Sequence, residues 1–472
     1  MSLHESSSFE KHKDVEKNDG AEVSITYAGE LGAGGLLADE SGNAIQYRTC
    51  SWQRTAALLF SEYICLAIMS FPWSYSVLGL VPGVILTIAT AASVQYTSLV
   101  LWKYCLAHPE IRDVCDIAQK LFRGSKIAYN VFAVFFIGNN IFICALHCLV
   151  GARYLNTMTN NSLCTVAFSA ISGIICFLVA LPRPLAQLSG LGTFSAVTMG
   201  IAVFLAIIFS GIQGTPAGYT PELGLPIVRL WPAPGTTFVA GVNGWLNICY
   251  TFVGQITLPS FIAEMKEPKD FPKALWAVTL CEIVVFTLCG AIMYHFVGEQ
   301  YITAPAFGSL KGVYLKVAFS FAIPTIIFLG SLYANVTARF IFFRVFNPSS
   351  KHRTTNTTLG WGVWAGILAV TWIIAFILAE IIPFFSDMLS LICSLFDAWF
   401  GFLLWSICYF SITPANARWA TGWKATETVV NILLAVVGIF IGTVGTYASI
   451  DTIIADSKGG VLFKCSNTGF ST

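Results

Sequence analysis

The stretch TAALLFSEYICLAIMSFPWSYSV, from Thr55 to Val77, is apolar enough to enter a bilayer yet contains an acid, Glu62, and a proline, Pro72. Proline lacks an amide hydrogen and its ring collides with the preceding turn, so the helix is expected to loosen near Met69, Ser70 and Phe71. Backbone groups freed in this way are tolerated at membrane depth only where protein or a cavity satisfies them. An interrupted first span carrying an acid therefore points to a binding site. A plain kinked helix with an interfacial glutamate is the competing reading, and the rest of the chain has to choose.

Outward from that stretch, the composition is that of a membrane protein. Of 472 residues, 56% are hydrophobic and 11% charged, and mean hydropathy is +0.72. A soluble chain carries about a quarter charged residues. A net charge of +1 gives no footprint for a nucleic-acid partner. Residues 1–50 mix Glu, Asp, Lys, Ser and Gly, lack the apolar core of a signal peptide, and read as a disordered cytoplasmic tail in which Lys11, Lys13 and Lys17 form a solvated charge run. Most of the 14 cysteines lie within apolar runs and no C-x-x-C pair occurs, so no metal site is expected. Cys164 and Cys465 are the pair able to meet on one exposed side.

Ten further apolar runs follow the first, each near the ~20 residues that cross the hydrocarbon. They cover 82–106, 128–156, 164–181, 188–211, 238–263, 274–297, 313–346, 361–379, 383–412 and 427–450. With the N-terminus inside, fifteen of the 26 lysines and arginines fall on inner loops and six outside. The positive-inside rule then sets the N-terminus in the cytoplasm and, after eleven spans, the C-terminus outside. Asn160, in the sequon Asn160-Asn161-Ser162, becomes an external glycosylation candidate. The sequons at Asn335 and Asn356 fall in a span and an inner loop.

The sixth run resembles the first in kind. YTFVGQITLP places Gly254, Gln255 and Pro259 at its middle. Two Gly/Pro-interrupted spans at positions one and six point to an inverted repeat of five plus five helices with substrate held at the breaks. The expected fold is an all-α polytopic bundle: residues 51–212 the first repeat, 213–412 the second, 413–450 an eleventh helix, and 451–472 an extracellular tail. Unwound segments turn amides toward a carboxylate and carbonyls toward an ammonium, which suits a zwitterion without a dedicated charged side chain. Cys65, Ala67, Met69, Ser70, Phe71, Thr251 and Phe252 lie near the breaks and are mostly apolar, which favours a neutral or aromatic substrate.

Two polar stripes mark an interior face. Asn140, Cys144, His147 and Gly151 share one face of the third span, and Asp387, Ser390, Ser394, Asp397 and Gly401 one face of the tenth. Interhelical hydrogen bonding alone would also account for such stripes, and for His147 and Asp387 it is the favoured account. Glu62 and His147 are the candidates for proton coupling, Glu62 first, because desolvation favours the neutral form of a carboxyl. Glu282 is the alternative, with a lipid-facing or salt-bridged role open to it. Glu264 reads as a gate or structural ion pair at the cytoplasmic edge.

The run GQITLPSFIAEMKEPKDFPKAL resembles the sixth-span signature of the amino acid/auxin permease family. SEYICLAIMSFPWSYSVLGLVPGVIL is similar to the first-span region of its fungal neutral amino acid permeases, and the likeness extends from about Trp52 to Ile450. It implies the leucine-transporter-type fold and proton-coupled uptake of neutral amino acids. It also implies a substrate role for Ala67, Ile68, Met69, Ser70 and for Phe252 through Gln255. Where the family has small glycines at the first break this chain has Cys65 and Ala67, so the cavity is narrower or differently selective.

An enzyme is not expected, since neither H-E-x-x-H nor G-x-S-x-G occurs and the six histidines are scattered. No cofactor is expected either. The remaining alternatives are a sodium-coupled symporter using Ser331 and Asn335, a sensor on a transporter scaffold, and, least of all, a channel. The plasma membrane is the expected home, with the vacuolar membrane as the alternative.

Overall fold

A computed structural model describes residues 50–183, 189–347 and 350–457, together with Cys465 and Phe470. The expected tail 1–49 therefore lies outside the described residues. The rest is helical. The first span is α1 (Trp52–Tyr63), a 3-10 turn over Leu66–Ser70, and α2 (Phe71–Leu78), with a 47° bend at the break. There follow α3 (Leu80–Ala107), the short amphipathic α4 (Val114–Leu121), α5 (Lys126–Met158), α6 (Thr165–Ala180) and α7 (Ser189–Ile212). The second half holds α8 (Phe238–Phe252), α9 (Leu258–Glu264), α10 (Phe271–Val297), α11 (Gly312–Val345), α12 (Thr358–Ile381), α13 (Phe385–Ile412) and α14 (Gly422–Ser457).

Among the described residues eight helices are long and apolar enough to cross a membrane, and the bent α1–α2 pair makes a ninth. α6, with 16 residues, is short of that length, and the sixth expected span is divided between α8 and α9. Length and composition alone thus give fewer than the eleven expected, because broken and short helices do not register as spans.

Local chemistry sets the ends. Ser125, Thr237, Thr357 and Thr421 accept main-chain amides at the starts of α5, α8, α12 and α14. Prolines stand in the first turns of α2, α9 and α10, where a missing amide donor is harmless. The break in the first span consequently lies at Ile64–Cys65, about a turn before the expected Met69–Phe71. Pro72 starts the second half-helix instead of kinking the first.

Packing sorts the helices into two groups. α1, α2, α3, α8 and α10 pack on one another; α5, α6, α11 and α12 form the other set, with α5 against all three partners. Close approach in the second set comes from small residues: a Cβ at Gly330 would stand 3.0 Å from His147 Cβ, and Cys144 Sγ donates to Gly330 O at 3.5 Å. α13 and α14 lie against α8.

Gly79 joins α2 to α3 with φ +80, a left-handed conformation that L residues rarely adopt. A Cβ there would meet Trp231 backbone carbon at 2.5 Å, where Leu80 and Val81 amides bond Arg229 and Leu230 carbonyls at 3.0 Å. Gly79→Ala is expected to cost at least about 1–2 kcal/mol from backbone handedness alone. A drop in the thermal midpoint of the detergent-purified protein checks it.

Cys164 and Cys465 are joined by a disulfide, as the sequence anticipated. Beyond Cys465, Phe470 rests against the helix ends: its amide donates to Thr157 Oγ1 at 3.2 Å and its ring lies under Arg153.

Candidate functional site

Both interrupted spans open onto the same place. In the first, the amides of Leu66 and Ala67 have no main-chain hydrogen-bond partner among the described residues; in the second, those of Gly254, Gln255 and Ile256 have none. Main-chain donors without a main-chain partner thus stand at both breaks, the Ala67 amide being directed at the Cys65 thiol. Two adjoining cavities lie there. One has Glu62, Asn139, Gly254 and Asp397 in its wall together with the rings of Tyr63, Tyr250, Tyr333 and Phe400. The other shares Glu62, Cys65, Tyr250 and Tyr333 and adds Ala67 and His147.

Glu62 is the hinge of this arrangement. Tyr333 Oη of α11 donates to one of its oxygens at 3.0 Å, and Thr257 Oγ1, at the sixth-span break, donates to the other at 3.2 Å. A single carboxyl therefore links the first break, the second break and the other helix set.

The expected site residues are not all on these walls. Cys65, Ala67, Thr251, Gly254, Glu62 and His147 line one cavity or both. Ile68, Met69 and Ser70, within the 3-10 turn, are fully buried and line neither cavity, and Ser70 Oγ donates to Ala67 O at 2.7 Å. Phe252 is turned into an aromatic cluster with Phe71 and Phe286. Gln255 points away and donates through Nε2 to Thr97 of α3 at 3.0 Å. On α5, Asn139 takes the wall position expected for Asn140, which accepts from it at 3.4 Å. For Ile68, Met69, Ser70 and Gln255 the cause is backbone that no longer advances by 100° per residue, so helical spacing cannot say which side chains face inward; Asn139, Asn140 and Phe252 lie on regular helices, where the rotation of the helix decides.

The other polar residues divide similarly. Ser331 Oγ donates to Cys176 O at 3.0 Å and Asn335 Nδ2 to Ala180 O at 3.1 Å, so both tie α11 to α6. Ser390 receives Asn247 Nδ2 at 2.9 Å, between α13 and α8. These are the interhelical bonds of the plainer reading. Glu282 is neither lipid-facing nor salt-bridged: it is 3% exposed, its Oε1 has no hydrogen-bond partner among the described residues, and its charge bears on Tyr63 and Cys65. Glu264 presents an exposed side chain in the field of Arg339 and Arg54. Its carbonyl accepts from Cys50 at 3.2 Å while Lys266 donates to Cys50 O at 2.9 Å. The strand-like contact zips the start of the first span to the end of α9. Asn160 is exposed, with its carboxamide oxygen held by Lys316 at 2.9 Å.

Tyr250, Tyr333 and Tyr63 escaped the sequence reading because tyrosines are common in apolar spans; the nearness of Tyr63 to Glu62 was the one available signal.

Comparison with known proteins agrees with this geometry. Residues 48–451 match the family model for transmembrane amino acid transporter proteins. The N amino acid transport system protein of Neurospora crassa is 33% identical over 447 residues, covering 93% of each chain. A transmembrane transporter of Gibberella moniliformis is 27% identical over 93% of each. Among solved structures, a nucleobase-cation-symport-1 family transporter, closed around bromovinylhydantoin, shares the fold with a TM-score of 0.51 at 15% identity, over 92% of this chain and 98% of that one. With two interrupted spans meeting at one polar cavity and a family match across nearly the whole apolar region, the chain belongs to the transmembrane amino acid transporter family.

Proposed function

We propose that this transporter imports neutral amino acids by proton symport with alternating access, from an eleven-span bundle in the plasma membrane. The carrying observation is that the two breaks face one cavity and share Glu62. Free amides at the breaks suit the substrate carboxylate, and tyrosine and phenylalanine rings suit an apolar side chain. Counting α1–α2, α8–α9 and the short α6 as crossings brings the total to eleven. Spans one, two, six and seven pack together, as do three, four, eight and nine; this division supports a five-plus-five repeat. The name of the Neurospora relative supports the amino acid reading. The disulfide supports an outward-facing C-terminus, since such bonds persist on the oxidising side of a membrane.

Purified protein in proteoliposomes tests the proposal. With an inward proton gradient in sodium-free buffer, labelled leucine or phenylalanine is expected to accumulate, with neutral members of a twenty amino acid panel competing best. Accumulation that requires sodium would replace the proton; binding without accumulation would make the protein a sensor.

A further inference from the structure

We propose that Asp397 is the acceptor for the ammonium group of the transported molecule, so that the cavity selects a protonated primary amine. The inference rests on the amino acid reading above and names the chemistry of its site.

Asp397 lies in the cavity wall and is 6% exposed. Its Oδ2 has no hydrogen-bond partner among the described residues. On the protein side it lies among thiols, those of Cys393 and Cys249. A thiol is a weak donor. Glu62 differs in kind, since each of its oxygens already accepts a hydroxyl from the protein. The described residues lining this cavity include no lysine, arginine or histidine. A buried carboxylate with no counter-charge is costly, and an ammonium arriving with the ligand would offset that cost.

The backbone is shaped for this. α13 is π-helical over Cys393–Leu403, a widened winding of the kind often found at functional sites. Four residues after Asp397, Gly401 is pressed on the sixth-span break, where an added Cβ would come within 2.9 Å of Val253 Cγ2. Asp397 and the break residues Gly254 and Ile256 thus line the same cavity. An ammonium with three donors at Asp397 and a carboxylate at the break amides complete a zwitterion without any basic side chain.

The test uses three probes on the purified full-length protein: phenylalanine, phenethylamine, which lacks the carboxylate, and phenyllactate, which lacks the ammonium. Wild type is expected to bind phenylalanine at least tenfold more tightly than phenyllactate and to bind phenethylamine. Asp397→Asn is expected to lose at least tenfold in affinity for both amines and to stop preferring phenylalanine over phenyllactate. A folded Asp397→Asn protein with wild-type phenylalanine affinity overturns the assignment. So does a wild type that binds phenyllactate as well as phenylalanine, a measurement that needs no variant. If wild type transports no amino acid, the functional reading falls, while phenethylamine bound by wild type and lost in Asp397→Asn still upholds the ammonium site. Failure of all three probes to bind overturns both.

Discussion

Gly254→Ala is expected to abolish transport while leaving a folded, monodisperse protein. The added Cβ would stand 2.5 Å from both Cζ and Oη of Tyr63, and closer still to its Cε1. Tyr63 is the last residue of α1, 9% exposed, and its ring forms part of the cavity wall. The ring can yield only by entering the cavity, or the sixth-span segment must rewind. Either movement destroys the geometry at both breaks. Overpacking of this kind costs roughly 1–3 kcal/mol, a tolerable loss against the ~5–15 kcal/mol of a typical fold. The effect should therefore fall on binding more than on yield. Tyr63→Leu in the same chain removes the ring atoms nearest the new methyl and is expected to restore part of the binding. Equilibrium binding of labelled substrate to both proteins decides it. Full affinity in the single variant would mean that the two breaks are not in close contact.

Glu62→Gln is expected to lose gradient-driven accumulation by tenfold or more while keeping substrate exchange. The replacement is close in shape. Its carbonyl oxygen can still accept one of the two hydroxyls, from Tyr333 or Thr257, and its amide can donate to the other. What it cannot do is take up and release a proton. Exchange needs only the binding and reorientation of the loaded protein, whereas concentrative uptake needs the coupled ion. Counterflow and pH-driven uptake in the same vesicles separate the two. Accumulation equal to wild type would remove Glu62 from the coupling and turn attention to Glu282, a further buried carboxyl.

Much of this was legible in the residues. The apolar runs fixed the helices within a few positions, since the bilayer and the 1.5 Å rise per residue leave little freedom. Pro72 and Pro259, with Gly254, marked the two interrupted spans. The individual wall residues were not legible. Asn139 and Asn140 are adjacent and identical in type, and only the rotation of α5 against α11 decides which one faces the cavity. Ser331 and Asn335 look like ion ligands in sequence; in the structure their donor hydrogens go to α6 carbonyls, while Asn335 Oδ1 has no hydrogen-bond partner among the described residues.

By itself the sequence determined that the chain is an apolar, helical membrane protein, which two of its apolar runs are interrupted, and that Glu62 sits inside one of them. Those properties follow from short-range chemistry: hydropathy, the missing amide of proline, the absent Cβ of glycine. The tertiary structure alone decided that Tyr333 and Thr257 converge on Glu62 and that Asp397 enters the cavity wall with an oxygen unclaimed. These residues are separated by up to hundreds of positions in the chain. Their meeting depends on helix rotation and on backbone that has left the helical period, and neither quantity is written in any local pattern.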